Sequence, residues 1–99
     1  MKILAIEREL PDIGAESFQI YLKAEAARLR ELVQEGTVRE LYFRQDRTEA
    51  VLILECGSIE AAHRILASLP LVREGLISFE VIPLRPYPGF SRLFASNAR

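Results

Sequence analysis

The chain has 99 residues, enough for one domain, and at this size only about two-thirds of the unfolded surface is buried, so a second subunit would add useful core. Its 49% apolar and 27% charged residues fit a globular protein and exclude a disordered one. A formal net charge of −1, with no long run of either sign, points to neither a nucleic acid nor a membrane surface, and the single cysteine, Cys56, excludes an internal disulfide and a cysteine metal site.

The first ten residues hold one short apolar stretch, Ile3-Leu4-Ala5-Ile6, interrupted by Glu7, Arg8 and Glu9. It reads as a buried strand and is too short for a signal peptide; no other apolar run could span a bilayer, so a cytoplasmic location is expected. Asp12 and Ser17 are the candidate caps of a helix over about 16–35, where Phe18, Tyr21, Leu22, Ala26, Leu29, Leu32 and Val33 recur at helical spacing and Gly36 stops the pattern. Thr37 to Arg44 is rich in β-branched and aromatic residues, and Ala50 to Cys56 is nearly all aliphatic. Gln45-Asp46-Arg47-Thr48 between them has hairpin length. Ser58 is the expected cap of a second helix running to about Leu69, with Pro70 just past its end. Gly75 precedes a last strand, about Leu76 to Arg85, which Pro86 and Pro88 close.

This β-α-β-β-α-β order predicts an α+β, ferredoxin-like domain over residues 1–85. With right-handed crossovers it gives a four-stranded antiparallel sheet in the order 4-1-3-2, both helices on one face. Alternation assigns Leu4, Ile6, Leu41, Phe43, Leu52, Leu54, Ile82 and Leu84 to the helix side. It assigns Ile3, Ala5, Val38, Tyr42, Val51, Ile53, Ile77, Phe79 and Val81 to the opposite face. That second face is too apolar to leave in water, so a sheet-on-sheet homodimer, or a ring of dimers, is expected. Residues 86–99 form a tail in which Tyr87, Phe90, Leu93 and Phe94 predict docking of Pro86 to Ala95 on a neighbouring subunit.

Three stretches resemble a known family. They are Glu35-Gly36-Thr37-Val38-Arg39-Glu40-Leu41-Tyr42-Phe43-Arg44, then Ala62-His63-Arg64-Ile65-Leu66-Ala67-Ser68-Leu69-Pro70-Leu71, and Ile82-Pro83-Leu84-Arg85. Together with Glu55 they are similar to the muconolactone isomerase-like branch of the dimeric α+β barrel superfamily, over roughly 25–85. The chain differs from the family pattern at Val38 (tryptophan in the family), at Val72-Arg73-Glu74, and at Arg85-Pro86-Tyr87-Pro88, where the family carries a histidine after the arginine. The resemblance implies a dimeric barrel and an isomerase moving a proton on a small anionic or lactone-like metabolite, with no cofactor.

Glu55 and Arg85 interrupt apolar strands that flank the first strand, which would put their backbones about 10 Å apart at one barrel mouth. Arginine suits carboxylate anchoring and glutamate suits proton transfer; an intersubunit ion pair is the competing reading. His63, the one histidine, is the alternative base and equally a half-buried helix residue. The expected set is therefore Glu55 and His63 for proton transfer, and Arg85, Arg39, Glu40 and Tyr42 for holding substrate. Arg39 points by parity toward the helix side, and Tyr42 also reads as barrel core. Arg44 and Glu49 would face each other across the hairpin as a surface pair. No ligand spacing for a metal is present. A non-catalytic ligand-binding or assembly module on the same barrel is the alternative function. RNA binding, which shares this element order, lacks the aromatic and basic third strand it requires.

Overall fold

The computed structural model describes residues 1–10 and 14–94, so Asp12 and Ala95 lie outside the described residues. The elements are β1 (Lys2–Glu9), α1 (Ala15–Gln19), α2 (Leu22–Gln34), β2 (Val38–Phe43), β3 (Ala50–Glu55), α3 (Ile59–Ala67), α4 (Pro70–Arg73) and β4 (Ile77–Pro83), followed by a short 3₁₀ helix, Gly89–Leu93. The four strands form one antiparallel sheet in the order β2-β3-β1-β4, which is the expected ferredoxin-like topology.

The first helical pattern is split in two. Tyr21 N–H donates to the Phe18 carbonyl at 2.9 Å, a tightened turn at Ile20-Tyr21, where a β-branched and an aromatic residue crowd the helix. The N-cap of α1 is Gly14, with no side-chain cap, so Ser17 does not serve as one. Gly36 ends α2 at φ +83°, and Thr37 N–H closes back on the Leu32 carbonyl at 3.0 Å. Ser58 caps α3 as its sequence position predicts, its Oγ accepting from Ala61 N–H at 3.0 Å. Pro70 does more than end that helix: it occupies the first turn of α4, a position where its missing N–H costs nothing. Arg28 on α2 donates to Ser68 Oγ at 2.9 Å and ties the two helical segments together.

The core between sheet and helices is built from Ile3, Ala5, Val38, Leu52 and Leu54 below and Leu32, Ala62, Leu66 and Leu69 above. Leu41, Phe43, Leu52 and Leu54 lie on the helix side and Tyr42, Val51 and Ile53 on the other, as alternation predicts. Two strands are turned over relative to that prediction. Ile3 and Ala5 face the helices while Leu4 and Ile6 face outward; Ile77, Phe79 and Val81 face the helices while Ile82 pairs with Leu4 on the outer face. β1 is apolar on both faces, so its pattern does not fix parity, and a one-residue shift turns every side chain over. Ser78 and Glu80 mark the outer face of β4 instead. Val38 joins the core because a bulge between Val38 and Glu40 resets the alternation of β2.

The outer face still carries Leu4, Ile6, Tyr42, Val51, Ile53 and Ile82, all half-buried or exposed in the single chain. Among the described residues no helix is long and apolar enough to cross a membrane.

Candidate functional site

The true parity of β1 puts an acid inside the protein. Glu7 continues the inward row of Ile3 and Ala5 and is 6% exposed. The β1–β3 ladder ends at the Ile6–Val51 pair, leaving the next amide of β3 without a backbone partner on β1. Glu7 Oε1 takes that place and accepts from Ala50 N–H at 2.9 Å. A second acid meets it from the helix layer. Glu25 lies one turn from Tyr21 and one turn from Leu29 on α2 and is 8% exposed. Its Oε1 accepts from Leu71 N–H at 2.9 Å, in the first turn of α4. The Leu69-Pro70-Leu71 stretch thus serves the site: the proline starts a fresh helical turn whose free N–H points at a buried carboxylate.

Both carboxylates line one cavity between the layers. An inner chamber of about 160 Å³ is walled by Leu29, Leu52, Leu69 and Phe79 and has Glu7 and Glu25 in its lining. An adjoining outer chamber of about 440 Å³ shares Glu7, Leu22, Phe43 and Leu71 with it and is completed by Glu9, Phe18, Gln19 and Thr48. The turn at Ile20-Tyr21 brings Phe18 and Leu22 to this mouth, and edge strand β2 brings Phe43, which is 69% exposed.

Burial is the main force on both acids. It pushes the Glu7 carboxyl above its ordinary value, against the Ala50 hydrogen bond, and the charges of Glu9, Glu49 and Glu25 push the same way. Burial likewise raises Glu25, opposed by the Leu71 hydrogen bond and the Arg73 charge. Each acid spends one oxygen on a backbone amide, which fixes its orientation. An apolar chamber lined by two oriented carboxyl groups whose pKa values are raised by burial has the chemistry to take up and release protons.

The residues singled out from sequence lie elsewhere. Glu55 is on the outer face at the far end of β1, where it pairs with Lys2 across the strands. Its Oε2 accepts from the Met1 ammonium at 2.7 Å, and that bond, together with the Arg39 and Lys2 charges, holds its carboxyl below the usual range. Arg85 lies just past β4 and is exposed, lining a groove of about 590 Å³ with Met1, Lys2, Leu84 and Pro86. Arg39 is exposed and donates from Nε to the Gly36 carbonyl. Tyr42 donates its hydroxyl to Glu40 Oε1 at 2.9 Å on the exposed end of β2, and that acceptor raises the phenol's pKa. His63 is exposed on α3 and lines neither the interlayer cavity nor the groove. The structure therefore gathers Glu55, Arg39 and Lys2 at one end of the sheet, with Arg85 beside Lys2, and leaves His63 apart. At the hairpin, Arg44 grips Asp46 at 2.9 and 2.6 Å, and its contact with Glu49 is a looser 3.5 Å. Among the described residues no three His, Cys, Asp or Glu side chains cluster as metal ligands.

A family model described as muconolactone delta-isomerase matches residues 5–89. The crystal structure of a muconolactone isomerase superposes with a TM-score of 0.74 at 23% identity, covering 100% of this chain and 98% of that one. A 5-chloro-2-hydroxyhydroquinone dehydrochlorinase from Burkholderia phenoliruptrix AC1100, in complex with 2,5-dihydroxybenzoquinone, superposes with a TM-score of 0.63 at 21% identity, covering 86% of this chain and 94% of that one. No curated protein matches the chain.

Proposed function

The chain belongs to the muconolactone delta-isomerase family, and on that footing we propose that it is an isomerase moving a proton on a small lactone-like metabolite, with Glu7 and Glu25 as its acid–base pair. One observation carries this reading: two carboxylates, from the sheet and from the helix layer, meet in the same apolar cavity. Shifting a double bond within a lactone requires a proton to leave one carbon and another to arrive elsewhere on the ring. A carboxylate and a carboxylic acid facing one chamber provide both functions, and the charge of Glu25 adds to the burial that raises the Glu7 carboxyl. Glu55 suits proton transfer less well, because the Met1 ammonium and the Arg39 and Lys2 charges hold its carboxyl below the usual range.

The test is double-bond migration, or hydrogen–deuterium exchange, in simple butenolides followed by NMR. Glu7→Gln and Glu25→Gln are expected to lower the rate by about 10²–10⁴-fold, the span of a positioned general acid or base. Full activity in both variants would refute the assignment.

A second reading, a non-catalytic binding module, is favoured by the groove that holds Lys2 and Arg85, a cationic pair suited to a small carboxylate. Under it, Arg85→Met loses ligand affinity, Glu55→Gln changes little, and no turnover is found in any variant.

A further inference from the structure

A third buried acid, Glu49, stands just before β3 and is 7% exposed. The β1–β3 ladder ends at the Ile6–Val51 pair, and two side chains bridge the strands beyond it. They do so reciprocally. Glu7 of β1 accepts from the Ala50 N–H of β3 at 2.9 Å, and Glu49 Oε2 accepts from the Glu9 N–H of β1 at 3.3 Å. The hairpin holds Glu49 in turn: its N–H donates to the Arg47 carbonyl and its carbonyl accepts from the Arg44 N–H, both at 2.9 Å. The other carboxylate oxygen, Oε1, is buried and has no hydrogen-bond donor among the described residues. Arg44 Nη1 stands 3.5 Å from it, while Nε and Nη2 donate to Asp46. A half-satisfied carboxylate is unfavourable inside a protein. A neutral glutamine would make the same bond to Glu9 without burying a charge, so what glutamate adds at this position is the charge itself.

We propose that Glu49 is a positioning residue for Glu7: the exchanged pair of hydrogen bonds ties the ends of β1 and β3 together, fixes the Glu7 carboxyl where the two chambers meet, and sets a negative charge beside it. The inference rests on the reading of Glu7 as one of the acid–base pair, and it adds a residue that acts from behind, since Glu49 lines neither chamber. Without the Glu49 carboxylate the Glu9 N–H loses its acceptor, and the Ala50 N–H that orients Glu7 belongs to the very next residue. Charge and geometry serve the same group. Burial raises the Glu7 carboxyl most, and the charges of Glu9 on β1, Glu49 beside β3 and Glu25 on α2 add to it, against the Ala50 bond. On the far side of Glu49, Arg44 and Asp46 of the hairpin are paired with each other and offset in charge. Removing the Glu49 charge therefore lets Glu7 ionise at lower pH, and removing its hydrogen bond loosens the amide that aims Glu7 into the cavity.

Two variants of the full-length protein separate charge from geometry. Glu49→Gln keeps an oxygen for the Glu9 N–H and removes only the charge. The titration midpoint of the Glu7 carboxyl carbon, followed by ¹³C NMR, is expected to fall, and the pH profile of deuterium exchange into a butenolide should move the same way. Glu49→Ala removes the bond as well. Exchange protection of the Glu9 and Ala50 amides is then expected to drop roughly two- to tenfold, the span of one lost hydrogen bond. Turnover should fall about tenfold or more, because a small displacement of a reacting group slows the step steeply. Glu80→Gln makes the same charge change on the outer face, where Glu80 pairs with Arg8, and is expected to leave the Glu7 midpoint where it is. An unmoved midpoint in Glu49→Gln, or an equal movement in Glu80→Gln, overturns the proposal even if Glu49→Ala fails to fold. Unchanged amide protection in a folded Glu49→Ala does so too. Full turnover in Glu7→Gln, with the Glu7 midpoint still responding to Glu49, upholds the positioning and removes the isomerase reading. Lost turnover in Glu7→Gln with an unmoved midpoint in Glu49→Gln removes the positioning alone.

Discussion

Glu7 and Glu25 shape the protein's response to pH. Both carboxyls titrate above the ordinary value of 4.5 in the folded state, so the fold binds protons more tightly than the unfolded chain does. Their contribution to stability is fully present below 4.5 and is lost as pH rises through the elevated folded values. Each of Glu7→Gln and Glu25→Gln is therefore expected to be more stable than wild type at neutral pH, by about 0.5–2 kcal/mol, a common gain when a functional site is relieved. Thermal melts across the pH range check this: the variants' advantage should vanish in acid. Loss of stability at pH 7 in both variants would mean that the carboxylates are structural. Asp46 and Glu55, held low by cationic partners, act with the opposite sign and lose their contribution as pH falls. The sequence pointed to Glu55 and Arg85 because they interrupt apolar strands. The same sign was present at Glu25, inside the Tyr21–Leu29–Leu32 row, and at Glu7, two residues beyond Ala5. Neither belongs to the candidate set the sequence suggests, and nothing in a linear pattern shows that an acid's inward partner is a spare backbone amide.

At the scale of elements, two terminal residues, Ser58 and Gly36, were legible, whereas the start of α1 at Gly14 and the strand faces were not. Ser58 and Gly36 act locally, so their roles follow from neighbouring residues alone. Ser58→Ala should cost about 1 kcal/mol through the lost bond to Ala61. Gly36→Ala should cost about 1–2 kcal/mol, because φ is +83° and any Cβ is strained in that region. Urea denaturation measures both, and a neutral Gly36→Ala would show that the C-terminus of α2 relaxes. The parity of β1 was not local information. Leu4 and Ile6 are as apolar as Ile3 and Ala5, and only pairing with β3 and β4 decides which pair faces the helices. The break at Ile20-Tyr21 and the fresh turn at Pro70 likewise leave no mark in the linear pattern, since each depends on the partner layer it must reach.

For the whole molecule, strand order and layer arrangement were readable from the alternation of elements, and the outer apolar face was readable even though some of its members were not. Val51 and Ile53 sit on that face with Leu4, Ile6 and Ile82, a patch that a second copy of the sheet would cover. Ile53→Asp should dissociate such an assembly, as light scattering behind a sizing column would show; a wild-type protein that runs as a monomer at micromolar concentration would rule the assembly out. The tail belongs to the same proposal. The radius of gyration is 16.9 Å, where a compact chain of this length gives about 13 Å. Tyr87 and Phe90 stack edge to face at 5.2 Å, yet they remain 67% and 68% exposed, with Leu93 and Phe94 more so. Truncation after Pro86 should weaken self-association and leave the melting of the monomer fold nearly unchanged.

The two backbone amides that hold the buried acids come from different layers, Ala50 from the sheet and Leu71 from the helices. Titrating carboxyls that influence one another normally yield shared apparent constants that belong to neither group. Here each acid has its own spectator: the Ala50 amide proton resonance follows the charge on Glu7, and the Leu71 resonance follows the charge on Glu25. An ¹⁵N-edited pH series on uniformly labelled protein would thus show which of the two carboxyls gives up its proton first, and a bound lactone should reorder those two curves without any change of fold.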